Sequence, residues 1–322
     1  MKRPEFKSIF KDELNDYLDA KVAVGFQERS YTIRLRVFDN FCEQHALESP
    51  VFTVDLADEW CKRRNNEATT THYSRVNTIK HFLIYLKSKG YAVHITRDIS
   101  FKKTQFQAYV YTKDETRRYF EAVDAFNPRG NKKAALQYPV LFRLLYCCGT
   151  RISEALSIRK KDVDLDEGIV KLIETKNNRE RYIVLDDSLA SLMRRYADKC
   201  FYLKDDDDYI FTSANGGFCQ YDTLYEHHRL LLKAANIPYI GNNEGPRIHD
   251  WRHTFSVYAF KKMIDDGMDM YVALPVLSTY LGHKTILATE QYVRLTVAMF
   301  PYIEEKFKGK LEEVFGFGGD DL

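Results

Sequence analysis

A chain of 322 residues that is 45% hydrophobic and 14% aromatic carries enough apolar material for two domains with separate cores, and its composition is not that of a disordered protein. Its formal net charge is only +2, from 48 basic and 46 acidic residues, so affinity for nucleic acid has to come from where the charges sit. No apolar run reaches the ~20 residues of a membrane span and the start MKRPEFKSIFKDEL has no apolar secretory core, which points to the cytosol and to no membrane partner.

In chain order, residues 1–100 predict helices only. A segment from Lys7 to Val24 is followed by one from Glu28 to His45, where Ile33, Val37 and Phe41 recur every four residues and Phe38 widens the stripe. A short helix around Asp55 to Arg64 comes next, then one from Thr70 to Lys89 with Gly90 as its C-terminal cap. In this last helix Val76, Ile79, Leu83 and Leu86 share one face, while Thr70, Ser74, Asn77 and His81 lie opposite, flanked by Arg75 and Lys80. Short polar groups with flanking cations suit a helix in a DNA major groove, although an ordinary solvated face would look the same.

Residues 101–111 lack helical periodicity and carry Lys102 and Lys103, which makes them the linker. Thr112 and Glu115 then form a T-x-x-E box that opens the next helix, so residues 112–322 form the second domain. That domain begins helical, through LQYPVLFRLLYCCGT and RISEALSIR. It switches to strands at GIVKLIET, RYIVL and YIFTS, and returns to helix from Tyr221. The fold class is mainly α with a small antiparallel β-sheet: an all-helical first domain and an α+β second one. The six cysteines show no CxxC spacing, so neither disulfides nor a metal site is expected, and Asp205 to Asp208 read as a solvated turn.

Chemistry-bearing residues appear in sequence as follows. Gly149 precedes a helix start, which places Arg151 near a helix N-terminus with Glu154 one turn on. Lys176 sits in the hairpin turn TKNNRE. His249 and Arg252 in HDWRHTF are three apart and share a helical face, while the adjacent His253 points elsewhere and is structural or supporting. Gly282 ends a helix, Thr285 starts the next, and Tyr292 lies nine residues after His283. Each pattern alone is ordinary: surface Arg–Glu pairs, solvated lysines and core tyrosines are common. Together they put two guanidiniums, an ammonium and two imidazoles around one phenol, which is the inventory for cutting a phosphodiester without a metal or other cofactor.

In this order, GTRISEAL, TKNNRERYIVL, HDWRHTF and LGHKTILATEQY closely resemble the tyrosine recombinases of the phage integrase family, over Thr112 to Leu322. The helical first part is similar to that family's core-binding domain. Two departures are a somewhat longer GMDMYVALPVLSTYLGH stretch, similar to recombinases of transposons that carry several of them, and Trp251 in place of a commoner leucine. The resemblance implies a site-specific DNA recombinase that makes a 3′-phosphotyrosyl bond through Tyr292, with Arg151 and Arg252 on the phosphate. His249 is then the base, His283 a further phosphate hydrogen bond, Lys176 the acid for the leaving 5′ oxygen, and Glu154 a supporting group.

It further implies double-stranded DNA as partner and a homo-tetramer exchanging strands through a Holliday junction, for a mobile element and with accessory recombinases. The tail supports assembly: Ile303, Phe307, Leu311 and Phe315 recur every four residues, and such a helix docks on a neighbouring subunit in the family. Basic clusters at Lys62 to Arg64, Lys102 with Lys103, Lys132 with Lys133, Arg159 to Lys161, and Arg179 with Arg181 are expected to grip DNA. Two other readings use the same residues: a type IB topoisomerase relaxing supercoils as a monomer, and a non-catalytic DNA-binding accessory protein.

Overall fold

The computed structural model describes residues 5–100, 108–128, 131–174, 179–239, 241, 245–283 and 287–300. The backbone divides into two compact units, Met1–Phe106 and Gln107–Leu322.

The first unit consists of α1 (Lys11–Ala23), α2 (Glu28–Gln44), α3 (Val54–Cys61) and α4 (Thr69–Ser88). Phe10, Leu14, Tyr17, Leu35, Phe38, Trp60, Ile79 and Phe82 form its core, with the Phe38 ring 5.3 Å from Trp60 and 5.7 Å from Phe82. On α4 the predicted face is the buried one: Val76, Ile79, Leu83 and Leu86 are all 2% exposed or less. Gly90, at φ +90°, closes that helix as expected, because the N–H groups of Gly90 and Tyr91 reach back to the carbonyls of Lys87 and Leu86.

The predicted stripe on α2 needs correction. Ile33 is 57% exposed, and the buried side is Thr32, Leu35, Phe38, Asp39, Phe41 and Cys42. A four-residue step drifts about 40° around a helix, so a row of such steps starts in solvent and ends in the core. Asp39 shares the buried side because its two carboxylate oxygens accept the backbone N–H groups of Lys7 and Ser8, each at 2.9 Å.

The second unit runs α5 (Lys113–Asp124), α6 (Lys132–Cys147), α7 (Ile152–Leu156), β1 (Val163–Asp164), β2 (Ile169–Glu174), β3 (Arg179–Val184), α8 (Asp187–Cys200), α9 (Tyr221–Ala234), α10 (Asp250–Asp265), α11 (Met270–Leu281) and α12 (Leu287–Met299). The strands form an antiparallel sheet in the order β1-β2-β3, in which Val163 pairs with Val170 and Leu172 with Arg181. The Thr112 capping box is present in both directions, with Glu115 donating N–H to the threonine hydroxyl and its carboxylate accepting Thr112 N–H. Tyr111, expected in the linker, is fully buried here, stacked on Trp251 with ring centroids 3.8 Å apart.

Two expected elements differ. YIFTS is not a strand: Tyr209 and Thr212 make only isolated bridges to Arg159 and Phe218, while Ile210 and Phe211 are buried like core residues. The segment 187–200, where the strand patterns on either side predict no helix, is α8, capped by Asp186 and burying Leu189, Ala190, Met193 and Tyr196. Asp206 and Asp207 are not merely solvated, since they pair with Lys160 at 3.3 Å and with Arg159 at 3.0 Å.

Candidate active site

Arg252 lies in the first turn of α10 and is 1% exposed. Its Nη1 donates to the Gly149 carbonyl at 2.7 Å, and its Nη2 to the Leu281 carbonyl at 2.6 Å. Gly149 has φ +59°, and a Cβ there would stand 2.3 Å from Cδ1 of Phe255, so the bend before α7 admits only glycine. Just beyond it the chain enters α7, where Arg151 donates through Nη1 to Glu154 Oε1 at 2.6 Å and through its backbone N–H to Oε2 at 2.8 Å. Arg151 and Arg252 are thus anchored from one short segment.

Gly282, in the left-handed conformation at φ 68°, ends α11. Its N–H and that of His283 return to the carbonyls of Thr279 and Ser278, which fixes where the His283 ring emerges. Nε2 of that ring lies 3.1 Å from Arg252 Nη2, and Nδ1 lies 2.8 Å from the Thr289 hydroxyl. A guanidinium can only donate, so Nε2 carries the lone pair and Nδ1 the proton. Tyr292, on α12, is 1% exposed, with its ring 5.9 Å from that of His283 at an interplanar angle of 13°.

His253, expected to be structural or supporting, lies beside Tyr292. It is 3% exposed, and its ring lies 5.5 Å from Tyr292 and 4.9 Å from His249. Its angular position on α10 is as expected, but α12 packs on α10 on that side, so the residue joins the cluster. His249 itself occupies the N-cap position of α10 without a side-chain capping hydrogen bond, packed against His253 on one side and otherwise exposed.

The charges are coupled. Burial, followed by the guanidiniums of Arg252 and Arg151, lowers His283 to about 4. Burial and then Arg252, Arg247 and Arg151 lower His249 to about 4 as well, so both imidazoles are neutral at neutral pH. Burial and the neighbouring Arg151 lower Arg252 to about 10. Burial pushes the Glu154 carboxyl up, but Arg181, the Arg151 N–H and Arg252 outweigh it and hold it below its ordinary value.

Sequence alone groups Arg181 with Arg179 as a surface cation, whereas the structure places it inside. Its side chain is 12% exposed, donating through Nη2 to Glu154 Oε2 at 2.7 Å and through Nη1 to the Tyr280 carbonyl at 2.8 Å. The alternation that could have revealed it is in RYIVL: Arg181 shares a strand face with Ile183 and Leu185, which are buried, while Tyr182 and Val184 are 62% and 67% exposed. Lys176, Lys102, Lys103, Thr285, the Arg179 side chain and the apolar stripe Ile303 to Phe315 lie outside the described residues.

Of the candidate base-reading residues on α4, Thr70 and His81 are exposed and Ser74 and Asn77 half-buried. Lys80 pairs with Asp98 at 2.5 Å. Arg75 does not fit: it is 5% exposed, with Nε on Glu67 at 2.7 Å and Nη1 on the Trp60 carbonyl at 2.6 Å. A phosphate contact would require breaking a buried ion pair, so Arg75 ties α4 to α3 instead. Arg159, Lys160 and Lys161 form surface ion pairs with Asp206 and Asp207.

The chain is 24% identical over 286 residues to tyrosine recombinase XerC of Staphylococcus epidermidis, covering 86% of this chain and 90% of that one. Its fold is similar to that of XerH site-specific recombinase bound to difH substrate, with a TM-score of 0.64 and 19% identity over 90% of this chain and 84% of the other. It is also similar to a lambda integrase in a tetramer bound to a Holliday junction, with a TM-score of 0.57 and 15% identity over 85% of this chain and 77% of the other. The Phage integrase family profile matches residues 110–299, which contain Arg151, Arg252, His283 and Tyr292, and the chain therefore belongs to the phage integrase family of tyrosine recombinases, enzymes that cut and rejoin DNA at specific sites.

Proposed function

We propose that Tyr292 is the nucleophile and that Arg151 and Arg252 hold the scissile phosphate. The observation that carries this reading is the single hydrogen-bonded chain from Gly149 through Arg252 to His283, whose ring lies against Tyr292. The phenol oxygen bonds to phosphorus, the bond to the 5′ oxygen breaks, and that oxygen takes a proton, which is the role of Lys176. The phosphotyrosyl linkage conserves the energy of the broken bond, so an incoming 5′ hydroxyl reverses the step. The guanidiniums supply the cationic charge for the five-coordinate transition state, so the step needs no metal.

Ionising a tyrosine of pKa about 10 at neutral pH costs roughly 4 kcal/mol, so a base is required. His249 serves, neutral and ready to accept. Burial and then the arginine field depress both imidazoles, and an arriving phosphate anion offsets the arginine part, raising their basicity when the proton must move. The same rise lets His283 put a proton on Nε2 and donate to the phosphate. Tyr292, at 1% exposure, has to be uncovered first, and engagement of DNA is the event that does so.

In this reading the first unit is the core-binding domain, reading its site through Thr70, Ser74, Asn77 and His81. The protein acts in the cytoplasm on double-stranded DNA. Four copies, two duplexes and a Holliday-junction intermediate complete the exchange, in the service of a mobile element. The test is to select bound DNA from a random pool and incubate two duplexes of unequal length carrying that site. Recombinant lengths are expected. Relaxation of plasmid by the monomer without a specific site would instead make this a topoisomerase, and binding without cleavage an accessory protein.

A further inference from the structure

We propose that Arg181 is a positioning residue for the phosphate clamp, holding Arg151 through Glu154 and the His283 turn through the carbonyl end of α11. The proposal rests on the reading of Arg151 and Arg252 as that clamp and Tyr292 as nucleophile. Glu154 is 5% exposed and receives three donors: Arg151 N–H and Arg181 Nη2 on Oε2, at 2.8 Å and 2.7 Å, and Arg151 Nη1 on Oε1, at 2.6 Å. One carboxylate therefore fixes the Arg151 guanidinium, and Arg181 fixes the carboxylate.

The other arm of Arg181 reaches the Tyr280 carbonyl at 2.8 Å, while Arg252 Nη2 reaches the next carbonyl, Leu281, at 2.6 Å. The last carbonyls of a helix have no partners within it and carry its negative end, so two guanidiniums side by side hold this end firmly. Gly282 and His283 follow directly. One side chain on β3 thus ties the Glu154 support of Arg151 to the end of α11 that leads into His283, through two Nη atoms that both donate to protein acceptors.

The arrangement requires a planar fork spanning two acceptors, which a lysine ammonium cannot reproduce. Arg181→Lys and Arg181→Met are compared with wild type on a nicked suicide duplex carrying the selected site. The scissile linkage is a normal phosphate, a neutral methylphosphonate, or a 5′-bridging phosphorothiolate whose sulfur leaves without a proton. Misplacing the clamp predicts adduct formation on phosphate slower by about 100-fold in both variants, with site affinity retained. On the methylphosphonate, which has less charge to clamp, the loss shrinks to under about 10-fold. The phosphorothiolate restores nothing.

Equal losses on phosphate and methylphosphonate would overturn the proposal, because a general folding defect gives that result. So would rescue by the phosphorothiolate, which would place Arg181 with leaving-group protonation, or an unchanged rate in Arg181→Lys. If Arg181→Met does not fold, Arg181→Lys alone carries the comparison, since it keeps the buried positive charge. Absence of any adduct in wild type would remove the underlying reading before Arg181 is substituted, and the two failures are therefore distinct.

Discussion

At the scale of single residues, Gly149 links backbone conformation to site geometry. Its φ of +59° and the 2.3 Å approach of Phe255 Cδ1 to a would-be Cβ leave no room for a side chain, and its carbonyl holds Arg252 Nη1. Gly149→Ala is expected to destabilise the protein by roughly 1–3 kcal/mol and to slow adduct formation, as read by urea denaturation and by the suicide substrate. Residue-level legibility follows locality. Gly90, the Thr112 box and Gly282 are readable because a cap depends on a handful of consecutive residues. Arg75 is not, because the length of an arginine lets it turn inward to Glu67, and nothing in α4 itself shows that acceptor. Arg159 to Lys161 look like a DNA grip for the same reason, with their acidic partners more than forty residues away in sequence.

At the scale of elements, the site depends on how α10 packs against its neighbours. Tyr119 of α5 places its hydroxyl 2.6 Å from Nδ1 of His228 on α9, and Trp251 of α10 lies 4.6 Å from the Tyr119 ring. Burial lowers His228 to about 3, and burial with the nearby His249 lowers His253 to about 3. Between about pH 3 and the ordinary 6.5 the unfolded chain takes up protons that these two rings refuse when folded. Their contribution is therefore fully present above pH 6.5 and is lost as the pH falls. The urea midpoint should drop from pH 7 to pH 5. In His228→Gln the slope should be shallower, by at most about 1.4 kcal/mol per pH unit. A slope that is unchanged would show that this ring titrates normally. Element types are largely legible from periodicity, whereas α8 is hidden between two strand patterns. YIFTS is apolar because it is buried, not because it pairs. Ile33 shows that spacing gives a helix but not which side faces the core.

At the scale of the whole molecule, a net charge of +2 makes DNA affinity a matter of which cations remain available. Arg159 and Lys161 are held by Asp207, at 3.0 Å and 2.5 Å, whereas Lys132 and Lys133 are exposed. Replacing Lys132 and Lys133 with glutamine should reduce the slope of log affinity against log salt by about 0.9 for each phosphate that these lysines neutralise. Replacing Arg159 and Lys161 should leave it unchanged. A fall in slope with the second pair would mean that Asp207 releases them on DNA.

The central claim, that one buried phenol among twenty-two tyrosines exchanges the DNA bond, is tested most directly by trapping the covalent adduct on a nicked duplex and sequencing the modified peptide. The DNA should be found on Tyr292, and Tyr292→Phe should bind the same duplex yet yield no adduct. An adduct on any other residue, or one that persists in Tyr292→Phe, would contradict the assignment.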